Sequence, residues 1–102
     1  MVDEVMENYE MQTTIWNDLT MVERFGKEAI EDIYTFAFEN WKKNYIYLTE
    51  LVLVLNWKIW KHYENGNEEL ARIYNDLWQQ TDEYAMNNLK DDELRYFLKT
   101  TD

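Results

Sequence analysis

The sequence predicts an all-α fold, a small helical bundle of three main helices with short helices at both ends. Apolar residues recur at three- and four-residue spacing through most of the chain, which is typical of helices with one buried face. Turn-forming residues are scarce, since the chain has no proline and two glycines. With 102 residues, of which 46% are hydrophobic, the chain suffices for one packed domain. We expect that domain to cover residues 14–102, after a polar segment of residues 1–13 that is expected to fray.

The first predicted helix boundaries come from a capping box and a glycine. Thr20 and Glu23 have the spacing of a capping box, which predicts the start of a short helix that ends at Gly26. A main helix then follows from about Lys27 to Lys43, where Ile30, Ile33, Tyr34, Ala37 and Trp41 form one apolar stripe.

The remaining helices are delimited by asparagines, a glycine and an aspartate. Asn44 is the expected N-cap of a helix from Tyr45 to Glu64, whose run Leu51–Leu55 predicts that other helices surround it. Gly66 is expected to end that helix in a left-handed conformation. Asn67 is then expected to cap a helix whose apolar residues run from Leu70 to Ala85, and Asp91 to cap a short last helix.

Charge is the strongest clue to function in the composition. Twenty-one acidic residues against ten basic ones give a formal net charge of -11. Residues 1–32 hold nine acids and two bases, residues 33–63 two acids and four bases, and residues 64–102 ten acids and four bases. Such a molecule repels nucleic acid and anionic lipid. We therefore expect no direct nucleic-acid or membrane partner, and instead a protein partner with a basic surface.

The sequence has few residues that suggest catalysis or metal binding. Cysteine is absent, and the single histidine, His62, has no carboxylate at a ligand-like spacing, which favours a surface or boundary role. Adjacent acids such as Glu68 and Glu69 point about 100° apart on a helix and do not converge on one ligand. We expect no enzyme activity, no cofactor and no metal. A helical enzyme or metal-binding protein is kept as a third alternative.

Acidic residues on two predicted helices are the candidate partner-binding site. A helix of about 20 residues is about 30 Å long, so rows of carboxylates on it have the dimensions to imitate a phosphate track. The candidates are Glu23, Glu28, Glu31, Asp32, Glu68, Glu69, Asp76, Asp82 and Glu83. Four lysines of the middle third, Lys42, Lys43, Lys58 and Lys61, make a weaker case for contact with nucleic acid.

Aromatic residues, 17% of the chain, are the second unusual feature. Several lie off the main apolar stripes and are candidates for an exposed interface, because tyrosine and tryptophan dominate interface hot spots. They are Trp16, Phe36, Phe38, Tyr47, Trp57 and Trp60. The alternative is that most of them belong to the core or its boundary.

Three segments carry a resemblance to known proteins: IWNDLTMVERFG from Ile15 to Gly26, YLTELVLVLNWKIWKHYE ending at Glu64, and NLKDDELRYFLKTTD at the end of the chain. They resemble a family of small acidic uncharacterised accessory proteins of phages, plasmids and conjugative elements of Gram-positive bacteria. In type, the chain is also similar to anti-CRISPR and anti-restriction inhibitors. The resemblance implies an accessory role in a host cytosol and no particular chemistry.

The sequence therefore favours two functions. The first is a non-enzymatic inhibitor whose acidic surface occupies the DNA or RNA channel of a nuclease or other defence protein. The second is a structural or assembly protein that forms a helical homo-oligomer, such as a homodimer, through its exposed aromatics. The longest uncharged central stretch, Leu51–Trp57, is far shorter than the ~20 residues that span a bilayer, so we expect a cytoplasmic protein.

Overall fold

The computed structural model describes the backbone of residues 2–42 and 44–101 and the side chains of residues 9–39, 42 and 44–101. These residues form five α-helices and no strand: α1 (Val2–Val22), α2 (Lys27–Trp41), α3 (Tyr45–Glu64), α4 (Glu68–Asn88) and α5 (Asp91–Thr101). The all-α prediction is confirmed. The finer description is only roughly matched, because the first helix is as long as α4. The predicted roles of the Trp41 and Lys43 side chains lie outside the described residues.

Helix α1 continues through the segment where the sequence predicted a helix start. Thr20 lies in its last turn, and the Thr20 hydroxyl donates a hydrogen bond of 2.8 Å to the Trp16 carbonyl oxygen. Glu23 follows the end of the helix, and its carboxylate binds side chains of α3 and α4. The predicted capping box is therefore wrong. Thr20 and Glu23 have the spacing of a capping box, but the helix amides near Thr20 are already bonded within α1 and need no cap.

The predicted ends of α3 are confirmed. Asn44 Oδ1 accepts hydrogen bonds from the amides of Ile46, at 3.0 Å, and Tyr47, at 3.3 Å. At the other end Gly66 has φ 78, a left-handed conformation that glycine adopts without steric cost. The amide of Gly66 donates to the Tyr63 carbonyl and that of Asn67 to the His62 carbonyl, which completes a Schellman motif.

Side-chain contacts fix the directions of the helices. Gln12 donates a hydrogen bond to Glu50 and Lys58 donates one to Thr20, so α1 and α3 run in the same direction. The Tyr34 and Thr81 hydroxyls lie 2.6 Å apart and Phe38 meets Tyr84 edge-on, so α2 and α4 also run in the same direction.

The largest helix contact joins α3 to α4, and α3 also packs on α1 and α5. One core cluster joins α1, α2, α3 and α4, and a second joins α3, α4 and α5 around Phe97. The run Leu51–Leu55, which predicted that other helices surround α3, is buried except for the half-buried Leu53, whereas Trp57 and Trp60 further along α3 are exposed. No helix of the described residues is long and apolar enough to cross a membrane.

Candidate partner-binding surfaces

A buried polar cluster ties α1, α3 and α4 together at one end of the bundle. One carboxylate oxygen of Glu23 accepts hydrogen bonds from Lys58 Nζ at 3.1 Å, His62 Nε2 at 3.1 Å and the Tyr74 hydroxyl at 2.7 Å. Two further hydrogen bonds complete the cluster: Lys58 also donates to the Thr20 hydroxyl, and the Asn67 side-chain amide donates to His62 Nδ1 at 3.3 Å. This pairing assigns the histidine proton to Nε2.

Burial makes the charges of this cluster interdependent. The Lys58 side chain is 1% exposed and the Glu23 side chain 16%. Burial lowers the pKa of Lys58 below its usual value, and the hydrogen bond to Glu23 opposes that shift. Burial also acts to raise the pKa of Glu23, but the hydrogen bonds from Tyr74, His62 and Lys58 outweigh it and hold that pKa below 4.5. The carboxylate is therefore kept ionised in the fold.

The polar cluster corrects two predictions. Glu23 binds residues of its own chain, so its place in an exposed acidic row is wrong, and His62 is buried instead of lying at the surface. The spacing along the chain did not predict the cluster, because its residues come from α3, α4 and the turn after α1. A signal existed, since Lys58 and His62 continue the stripe of Leu51 and Leu55 at helical spacing, which places both on the buried side of α3.

The hydrogen bonds of the cluster hold the end of α1 against α3 and α4. The four side chains of Glu23, Lys58, His62 and Tyr74 line neither of the two described cavities. Among the described side chains, no group of three or more histidines and carboxylates is placed to hold a metal ion.

Most of the predicted acidic residues are exposed and lie on two adjacent helices. On α4, Glu69, Asp76 and Glu83 follow one another at seven-residue spacing, which places them on one face over about 21 Å. Helix α2 packs on α4, runs in the same direction, and carries three further exposed acids, Glu28, Glu31 and Asp32. We call the combined surface the acidic face, made of Glu28, Glu31, Asp32, Glu69, Asp76 and Glu83, all exposed.

The acidic face is strongly but not purely negative. The described side chains of α2 and α4 include nine acids and two bases. The bases are Lys27, 4.0 Å from Glu31, and Arg72, 4.0 Å from Glu68. Two predicted acids of α4 lie elsewhere: Glu68 is exposed beside Arg72, and Asp82 is partly buried one position away from the row.

The six candidate aromatics are divided between surface and core. Phe36, Trp57 and Trp60 are exposed, whereas Trp16 is half-buried beneath the ammonium of Lys58, 4.0 Å from its ring centroid. Phe38 is partly buried between the rings of Tyr34 and Tyr84. Tyr47 is buried, so its assignment to an exposed patch is wrong. The reason is that its position on α3 faces the core that α1 and α2 share.

An open groove of about 720 Å³ lies between α1 and α2. Helix α3 forms its floor through Tyr47 and Leu51, and most of its lining is apolar. Glu10 and Asp18 of α1 supply its charged side chains. Asp18 also contributes to the environment of Tyr47, whose pKa is raised to about 12, first by burial and then by the charge of Asp18. No pattern in the sequence predicted this groove, because its walls come from different helices.

Comparison of the chain with protein-family models, with curated proteins and with solved structures finds no match.

Proposed function

We propose that this chain is a non-enzymatic binding protein whose acidic face occupies the basic DNA or RNA channel of another protein. The observation that supports this most is the exposed α4 row of Glu69, Asp76 and Glu83, on a helix that packs on the acidic helix α2. A row of about 21 Å matches the length over which duplex DNA presents about a dozen phosphate charges. The partner is a nuclease or similar nucleic-acid-binding protein, and inhibition follows from competition for its channel.

The biological setting proposed for this activity is defence against a host nuclease. An inhibitor of the anti-CRISPR or anti-restriction type, supplied by a phage or mobile element, would act in the host cytosol. The chemistry of recognition does not depend on that setting, because any channel built to bind phosphates presents arginines and lysines.

A displacement assay tests the proposal. A panel of purified nucleases and other enzymes that bind nucleic acid is loaded with fluorescent DNA or RNA. Release of the labelled nucleic acid on adding the protein is followed by anisotropy. The test variant carries Glu69→Gln, Asp76→Asn and Glu83→Gln. The control carries Glu64→Gln, Asp92→Asn and Glu93→Gln, which remove the same charge from exposed positions off the acidic face.

We expect the unmodified protein and the control to displace nucleic acid from at least one enzyme. Because an exposed charge pair contributes about 0.2–1 kcal/mol, losing three weakens binding by about 3-fold to 150-fold. Equal potency of the two variants, or no displacement from any enzyme of the panel, would contradict the proposal.

A second candidate function is self-assembly through the exposed aromatics of α1 and α3. Trp60 is 63% exposed, and Trp57 and Tyr9 are also exposed on the described surface. Aromatic side chains of this kind anchor subunit interfaces. Light scattering after size-exclusion chromatography tests it: a dimer that Trp60→Ala converts to a monomer supports assembly, and a monomeric unmodified protein contradicts it.

A further inference from the structure

The groove between α1 and α2 has the shape that receives a helix. Its lining follows α1 from Glu10 to Val22, a distance of about 18 Å or more than three helical turns. Two helices side by side over a floor form a valley into which a third helix packs by fitting its side-chain ridges between theirs. A helix of about 12 residues lying there would present apolar side chains at positions i, i+3 or i+4, and i+7.

The rim of the groove carries large apolar side chains that face water. Phe36 is 71% exposed and Met21 is 63% exposed, and they stand on the opposite walls formed by α2 and α1. Methionine adapts its shape to a partner, and a phenylalanine ring buries a large area on contact. The rim therefore extends the apolar surface that an occupant would cover.

The charges of the groove select the occupant. Asp18 lies among apolar neighbours, on the same face of α1 as Thr14 and Val22 at four-residue spacing, and Glu10 stands at one end. None of the described lining residues is basic. A helix with acidic or neutral flanks would leave Asp18 without a counter-charge as water is displaced, whereas a lysine or arginine on the occupant compensates it.

We propose that this groove binds a basic amphipathic helix of a partner protein, with its apolar side chains against the Leu51 floor and its cations at Asp18 and Glu10. This site is separate from the acidic face, which lies on the outer sides of α2 and α4. It therefore goes beyond the proposed function, and either surface can fail its test without the other.

The test uses the full-length protein and three labelled 18-residue peptides, followed by fluorescence anisotropy. The first is an amphipathic helix with leucines on one face and lysines beside them. The second has glutamates in place of the lysines, and the third is a scramble of the first with identical composition. We expect the first peptide to bind at least tenfold more tightly than either of the others.

Matched variants locate the binding site. Met21→Glu places a charge at the rim, and Met86→Glu makes the same change at a 47% exposed methionine of α4 outside the groove. Asp18→Asn removes the groove carboxylate, and Asp76→Asn removes one from the acidic face. We expect Met21→Glu and Asp18→Asn each to weaken binding at least fivefold, with the Met86 and Asp76 variants unchanged.

Three results would overturn the proposal. Equal binding of the helical and scrambled peptides would mean attraction by net charge alone. Equal effects of the groove variants and their controls would place the peptide elsewhere. Light scattering that shows a dimer of the unmodified protein, broken by Met21→Glu and kept by Met86→Glu, would make a second copy the occupant.

Discussion

The ammonium of Lys58 donates a hydrogen bond of 3.1 Å to the carboxylate of Glu23, a residue 35 positions earlier in the chain. Lys58 is almost fully buried, and its other described contacts are the Thr20 hydroxyl and the Trp16 ring. A buried ammonium without its carboxylate retains the full cost of its lost hydration. The pair therefore makes the end of α1 depend on α3.

Removing the carboxylate should destabilise the fold strongly. We expect Glu23→Ala to lower the free energy of unfolding by about 3 kcal/mol, because it leaves Lys58 buried and uncompensated. Urea denaturation followed by tryptophan fluorescence measures this. The matched control is Glu31→Ala, whose exposed pair with Lys27 at 4.0 Å should contribute less than about 0.5 kcal/mol. If both variants lost a similar free energy of unfolding, the buried pair would stabilise the fold no more than the exposed pair does.

The stability contributed by Glu23 should disappear in acid. Its folded pKa lies below 4.5, so the unfolded chain takes up this proton more readily than the folded one. The contribution is complete above about pH 4.5 and is lost as the pH falls through the folded pKa. We expect the stability advantage of the unmodified protein over Glu23→Gln to be constant near neutral pH and to shrink below pH 4.5. A constant difference down to pH 3 would contradict this.

Glu50 should show the opposite pH dependence. Burial raises its pKa above 4.5, and the hydrogen bond from Gln12 offsets only part of that shift. Ionised Glu50 therefore costs stability at neutral pH, and the cost vanishes as the pH falls through its folded pKa towards 4.5. Relative to Glu50→Gln, which keeps an acceptor for Gln12, the unmodified protein should become more stable on acidification. A difference in the free energy of unfolding between the two proteins that stays constant from pH 7 to pH 4 would exclude this.

Some features of the fold that depend on local sequence could be predicted. Asn44 and Gly66 act through atoms within five residues along the chain, and both predictions are confirmed. The all-α class follows from apolar spacing, which is also local. The predicted helix start at Thr20 was wrong because α1 continues through that segment, and capping residues also occur inside and after helices.

The candidate surfaces were predictable only in part. Glu69, Asp76 and Glu83 share a face by helical spacing alone, so the α4 row could be read from the sequence. The place of α2 beside that row, and the groove on its other side, depend on which helices pack together. Glu23 and Tyr47 were misplaced for the same reason, since their partners are distant in sequence.

The salt dependence of partner binding shows whether the acidic face is the binding surface. Dissociation constants of the complex found by displacement are measured from 50 to 500 mM salt for the unmodified protein, the Glu69/Asp76/Glu83 variant and its Glu64/Asp92/Glu93 control. We expect the affinity to fall steeply with salt for the unmodified protein and the control, and less steeply for the α4 variant, because exposed charges are screened within about 10 Å at 0.1 M salt. Identical slopes for all three proteins would contradict it.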